Sequence, residues 1–338
     1  MNLKDEKYSK YALVKEMMQT PEIVRHFDPS QTKSIVNEII SAKKLFFSGE
    51  GSSRIFPAKN TIRKVLTKGI DLFVNTDGSR QSAQYDLSKF AVFCTSNSGR
   101  TKEVVLLAKK LAAIGNNKIY GLTANKDTLL EQKCTKTFVL TCGWEQAVAA
   151  TKSVVEQALF YESIIWNISG INKKNELAKL ADLLEYALTM KIDKNIVEAA
   201  AKAPTIYFAG YNDGVAEELT LKTNEITHKK SDFLEGTYAV HGIEEVMEKE
   251  DIVFVIDPIE EEIDKFNEVL VNGVGIKVIA IADHETIFPT IKIPEGGEMN
   301  PYILLTAGWN LLVDIGLAAG INLDKPERAR KVGNELII

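Results

Sequence analysis

The stretch FAVFCTSNSGRTKEVVLLAKKL, residues 90–111, decides how the chain is read. It opens on an apolar run, passes through Thr95-Ser96-Asn97-Ser98-Gly99-Arg100-Thr101, and continues into a segment with Val104, Leu107, Ala108 and Leu111 on one helical face. The helical pattern runs over Thr101–Ile114, with Gly115 as its stop. A buried strand, a hydroxyl-rich turn and an amphipathic helix in that order are the working unit of a parallel α/β sheet. Hydroxyls and backbone N–H groups at such a turn make an anion pocket, aided by the positive end of the helix dipole. Ser, Thr and Asn are also the ordinary residues of turns and helix caps, so the motif alone leaves phosphate binding and simple capping side by side. Neither G-x-x-x-x-G-K-[ST] nor G-x-G-x-x-G occurs, so the turn is not a nucleoside triphosphate or dinucleotide loop.

Working outward, the same rhythm recurs on both sides. KLFFSG (44–49), DLFVNT (71–76), KIYGLTA (118–124) and KTFVLTC (136–142) read as further strands of the first half. TIYFAG (205–210), DIVFVID (251–257), KVIAIAD (277–283) and TIKI (290–293) repeat the pattern in the second. Near-continuous apolar strands alternating with helices predict two doubly wound parallel-sheet α/β domains in tandem, each a three-layer sandwich. The expected organisation is N-terminal helices over 1–42, a first domain over 43–170, connecting helices over 171–202, a second domain over 203–323 and a tail over 324–338. A second serine-rich turn, Ser48-Gly49-Glu50-Gly51-Ser52-Ser53, follows the first strand. Ligands of open parallel sheets bind beyond the carboxyl ends of the strands, so the two turns are expected to converge on one phosphate.

Composition narrows the field. The 338 residues are 45% hydrophobic and 26% charged with 21 Gly and 9 Pro, which excludes a disordered chain, a collagen-like repeat or a coiled coil. The formal charge of −5 argues against nucleic acid as the partner, since phosphate neutralisation needs a basic stripe. Cys94, Cys134 and Cys142 form no C-x-x-C, and no histidine spacing suits a metal; a reduced, cytoplasmic, metal-free and cofactor-free chain is expected. The N-terminus MNLKDEKYSK lacks the apolar stretch of a signal peptide. Tyr302–Gly320, with Asp314 as its only charge, is long enough to raise the membrane question but reads as a buried core helix.

Several motifs together resemble the tandem sugar isomerase (SIS) domain family, in the pattern of the isomerase half of glucosamine-6-phosphate synthase and of stand-alone deaminase/isomerases. The family's S-x-S-G-x-T loop matches Ser96–Thr101, its G-x-S turn Gly51-Ser52-Ser53, and its E-x-x-V-A-x-T-K stretch Glu145–Lys152. Its pre-domain K-E-x-x-x-Q-P signature appears, loosened, in Lys15–Pro21. The resemblance implies that Ser52, Ser53, Ser96, Asn97, Ser98 and Thr101 grip the phosphate. Val148 and Lys222 join them in binding substrate, and Glu145, Lys152 and Glu218 take supporting positions.

On the helix Gly214–His228, Glu218, Lys222 and Glu225 share a face, a pattern equally usual for solvated salt bridges. The resemblance places Glu225 on the glutamate that moves a proton between C1 and C2. His241 falls on the family's ring-opening histidine, which reaches the pocket of a neighbouring subunit, so a homodimer with a shared site is implied. The family's H-G-P is here His241-Gly242-Ile243. The tail Asp324–Val332 resembles D-x-P-x-x-x-x-K-x-V, with Val332 directly after the lysine, and Lys331 matches the lysine that closes over the sugar to form or assist an imine. Read without the resemblance, Arg328, Arg330 and Lys331 are a basic helix end complementing a dipole.

No cysteine precedes Cys94, so glutamine amidotransfer is not expected. The implied function is a deaminase/isomerase acting on an amino sugar 6-phosphate such as glucosamine 6-phosphate. The alternatives are a fructosamine 6-phosphate deglycase and a non-catalytic sugar-phosphate sensor. Residues 1–42 are too short and too weakly basic for the helix-turn-helix module that sensors carry.

Overall fold

The computed structural model describes residues 1–331 and 333–337. It consists of two units. The first-sheet unit comprises Glu22–Gln146, Ala150–Ala178 and Arg328–Ile338; the second-sheet unit comprises Met1–Pro21, Ala147–Ala149 and Lys179–Glu327. Three helices open the chain: α1 (Glu6–Ser9), α2 (Ala12–His26) and α3 (Lys33–Ala42).

The first sheet follows as β1 (Lys44–Gly49), α4 (Ile55–Thr67), β2 (Phe73–Gly78), the short α5 (Ser79–Ser82), β3 (Ala91–Thr95), α6 (Lys102–Ala113), β4 (Ile119–Thr123), β5 (Lys136–Val139) and α7 (Lys152–Ile168). Its strands are parallel in the order β2-β1-β3-β4-β5. Every residue of β3 and β4 is buried, as interior strands covered on both faces require. The apolar face of α6 packs Val104, Leu107, Ala108 and Leu111 into one core with Phe46, Val92 and Cys94. α7 is buried from Lys152 to Trp166 and packs on α3 and α4.

After α8 (Lys174–Thr189) and α9 (Lys194–Lys202) the second sheet runs β6 (Thr205–Gly210), α10 (Val215–Thr227), β7 (Lys230–Glu235), β8 (Ile252–Ile256), α11 (Ile263–Phe266), β9 (Lys277–Ala282), β10 (Thr290–Lys292) and α12 (Asn300–Ala318). It too is parallel, in the order β7-β6-β8-β9-β10, which repeats the strand order of the first sheet. Two α/β units with parallel five-stranded sheets and flanking helices are therefore observed.

β7 is a strand that the sequence does not announce. Its residues KSDFLE are mostly charged or polar, and only Leu234 is fully buried, because an edge strand needs little apolar surface. The apolar segment over 297–318 has the length and hydropathy of a membrane-crossing helix, but 78% of that window is buried within the protein. It is used as core: α12 packs on α9, α10 and β9. Gly308 is what lets α10 approach, since a Cβ there would lie 2.4 Å from the Leu219 side chain. The basic tail is not a helix end; among its described residues it is turns and extended chain, with Glu335 bridged to Thr101.

Candidate functional site

The crevice of the first sheet forms where strand order reverses, between the carboxyl ends of β1 and β3, which pair side by side with Ser48 opposite Cys94. The turn after β3 closes on itself through hydroxyls. Ser96 Oγ lies 2.8 Å from Thr101 Oγ1 and 3.3 Å from Ser98 Oγ, and the Arg100 N–H donates to Ser98 Oγ at 3.2 Å. Gly99 has φ +65°, and a Cβ there would sit 2.4 Å from the Thr128 side chain, so only glycine lets the turn tighten. Thr101 stands at the N-cap of α6, yet its side chain makes no capping hydrogen bond. The hydroxyls bond one another at the mouth of α6, where Ser96 Oγ also accepts the Thr101 N–H at 3.4 Å.

The turn after β1 brings the buried Ser52 and half-buried Ser53 to the same edge. Behind it, Ser48 Oγ bonds Ser79 Oγ at 3.0 Å, and Glu50 accepts the Ser79 N–H at 2.8 Å. Burial pushes the Glu50 carboxyl above its ordinary range; the N–H bonds from Ser79 and Arg80 work against that, and the Glu103 charge adds to it.

Glu145 is the hub of this unit. Fully buried, it accepts the Thr151 N–H at 2.7 Å, the Ser153 hydroxyl at 2.5 Å and Asn97 Nδ2 at 3.1 Å. It thereby caps α7 and holds the hydroxyl turn through one carboxylate. Lys331 Nζ lies 3.7 Å from the same carboxylate. The tail is fixed further on: the Lys102 N–H donates to Asn334 O at 3.0 Å, the Leu336 N–H to Arg100 O at 3.0 Å, and Arg100 pairs with Glu335 at 3.2 Å. Of the remaining tail motif, Val332 lies outside the described residues. Lys152 is buried as the first residue of α7.

Tyr161 is a residue that sequence reasoning misses. Its hydroxyl bonds Thr95 Oγ1, and its ring stacks on Phe47 at 3.9 Å, locking the last residue of β3 before the turn. An aromatic in an apolar helix carries no sequence signal of such a bond.

The second-sheet unit carries the other predicted residues. On α10, Lys222 Nζ lies 2.7 Å from Glu225 and 3.2 Å from Glu218. Lys222 and Glu218 are fully buried, and the Glu225 side chain is 24% exposed. A solvated charge stripe would not be buried, so that reading of the spacing fails here. Burial alone would lower the Lys222 ammonium, but the two carboxylates outweigh it and hold its pKa above the ordinary lysine range. Glu225 is the member of the trio that solvent reaches.

His241 is exposed in a loop after a short turn at Tyr238–Val240, and Gly242 has φ +109°. Ile243, which replaces the family's proline, packs against the core of this unit. Val148 is half-buried in the segment Ala147–Ala149, where the Ala147 N–H donates to Glu16 at 3.2 Å. His284 sits between Asp283 at 2.8 Å and Glu260 at 2.6 Å, and its hydrogen bond to Asp283 raises its pKa. Among the described residues no group of three His, Cys, Asp or Glu side chains is arranged to hold a metal.

Residues 38–166 match the family model described as SIS domain, and that span contains the whole first sheet with both serine turns and Glu145. The chain thus carries a SIS domain, in agreement with the resemblance read from its motifs. Its fold over 95% of its length is shared with the C-terminal domain of glucosamine-fructose-6-phosphate aminotransferase from Francisella tularensis, at 19% identity, TM-score 0.78 and full coverage of that chain. Glucosamine-6-phosphate deaminase from Thermotoga maritima is similar at 18% identity and TM-score 0.71, covering 95% of this chain and 99% of that one. Tagatose-6-phosphate ketose/aldose isomerase from Escherichia coli is similar at 16% identity and TM-score 0.74, covering 96% and 99%. No curated protein sequence matches the chain.

Proposed function

We propose that the protein is a phosphosugar deaminase/isomerase acting on an amino sugar 6-phosphate such as glucosamine 6-phosphate. The observation that carries this reading is the Glu145 hub, which joins Asn97 of the hydroxyl turn and the tail lysine Lys331 through one buried carboxylate. A turn built only to cap a helix would have no use for a lysine held beside it.

In the proposed reaction Ser52, Ser53, Ser96, Ser98 and Thr101 hold the phosphate. His241, lent by a partner subunit, assists opening of the sugar ring. Glu225 takes the C2 proton and returns it at C1, while Lys222 and Glu218 fix its position and balance its charge. The C2–N bond becomes an imine, and water then replaces nitrogen to leave a ketone and ammonia. Lys331 either donates an ammonium hydrogen bond to the open-chain C1 carbonyl or condenses with it, losing water, to an imine that water later hydrolyses to free the lysine. The names of the similar structures, one a glucosamine-6-phosphate deaminase and one a ketose/aldose isomerase, are consistent with this chemistry.

Incubating the protein with glucosamine 6-phosphate should release ammonia and fructose 6-phosphate in equal amounts. Turnover of a fructosamine 6-phosphate with no ammonia from glucosamine 6-phosphate would replace this reading with a deglycase. Mixing inactive Glu225→Gln and His241→Ala proteins should restore part of the activity if His241 acts across a dimer.

A further inference from the structure

Between α5 and the start of α6 lies a cavity of about 350 Å3, beside the hydroxyl turn but distinct from it, lined by Ser79, Arg80, Lys102, Glu103, Lys110 and Asn334. That volume is at the small end of metabolite pockets. Its charges do not cancel internally. Lys110 is engaged, donating to the Ala83 carbonyl. Arg80 and Lys102 have no side-chain hydrogen bond or ion pair among the described residues. On the acidic side, Glu103 receives Asn334 Nδ2 on one oxygen, and its other oxygen is buried without a partner. Glu50 stands behind Ser79 and accepts its N–H, so Glu103 is the carboxylate that lines the cavity itself.

A plain anion would satisfy Arg80 and Lys102 but face the Glu103 carboxylate, and a plain cation would meet the reverse conflict. A ligand carrying both charges resolves both. We propose that this cavity binds the head group of an α-amino acid, its ammonium at Glu103 and its carboxylate at Arg80 and Lys102. Asn334 walls the cavity three residues beyond Lys331, so an occupant holds the tail against α6. The occupant is either a free amino acid or the amino-acid part of a sugar-phosphate conjugate. Only the second source rests on the phosphosugar reading given above.

Calorimetry on the full chain separates these cases. L-Alanine and L-lysine should bind, with propionate and ethylamine at least about tenfold weaker, since each lacks one charged partner worth that much. Glu103→Gln and Arg80→Ala should each weaken amino-acid binding about tenfold, while Ser98→Ala leaves it unchanged. If neither free amino acid binds, the conjugate of alanine with fructose 6-phosphate should bind more tightly than fructose 6-phosphate, and Glu103→Gln should remove only that difference. Failure of fructose 6-phosphate to bind would sink the phosphosugar reading alone. Propionate binding as tightly as L-alanine would overturn the proposal, and so would indifference of both free and conjugated amino acid to Glu103→Gln in a variant whose circular dichroism and melting match the parent.

Discussion

The two sheets have the same strand order but opposite chemistry at the same place. Beyond β1 and β3 the crevice presents Ser52, Ser96, Ser98 and Thr101; beyond β6 and β8 the corresponding residues include Asp213, buried and accepting the Val215 N–H at 3.0 Å, and Asp257 at φ +49°. Topology decides where a ligand can sit, and side chains decide whether one does. Hydroxyls invite a phosphate, whereas carboxylates repel it. The second sheet instead contributes a helix face, with the buried pair Glu218–Lys222 supporting a Glu225 that solvent can reach.

The sharpest way to break this contrast is Glu225→Gln. A positioned general base contributes about 10²–10⁴-fold, so kcat should fall by that factor with phosphosugar affinity retained. Near-normal kcat would mean that the α10 trio is structural only. Next come Ser98→Ala and Thr101→Val. Each should raise KM roughly tenfold or more, the loss expected of a hydrogen bond to a charged group, with kcat little changed because the phosphate is held equally in ground and transition states. A fall in kcat alone would remove the phosphate from this turn.

Much of this was legible beforehand. Nine of the ten strands were read from short β-rich runs, the burial of the six interior strands β1, β3, β4, β6, β8 and β9 is written in their apolar residues, and the motif turns fell where strands meet helices. β7 was hidden because an edge strand is half polar. The spacing of Glu218, Lys222 and Glu225 gave their common face but not their burial, which α12 imposes from far along the chain through Gly308. Long-range pairs were invisible for the same reason: Glu145 with Lys331, and Arg100 with Glu335, join residues that no local pattern relates. Nor does any periodicity announce that Arg80 and Glu103 line one cavity.

Two glycine substitutions sharpen the comparison at a smaller scale. Gly308→Ala should cost about 1–3 kcal/mol of stability by forcing Leu219 and α10 away, read as a lowered Tm. Gly99→Ala should act chiefly on KM, by pushing the hydroxyl turn against Thr128, and an unchanged KM would contradict the cradle. The smallest effect belongs to His284. Because its pKa is raised in the folded state, its contribution is full below the ordinary imidazole value near 6.5 and fades as pH rises through the raised value. Asp283, whose pKa is lowered, loses its share as pH falls through that depressed value. The side chain is 41% exposed, so His284→Ala should cost only a few tenths of a kcal/mol at pH 6 and less at pH 9, as chemical denaturation would read.

The central claim is that phosphate belongs to the hydroxyl crevice of the first sheet and not to its acidic counterpart. Calorimetric titration of fructose 6-phosphate into the parent protein, Ser98→Ala and Asp213→Asn tests it directly. The account predicts binding to the parent, roughly tenfold weaker binding to Ser98→Ala, and parental affinity in Asp213→Asn. Unchanged affinity in Ser98→Ala, or a marked change in a well-folded Asp213→Asn, would contradict it.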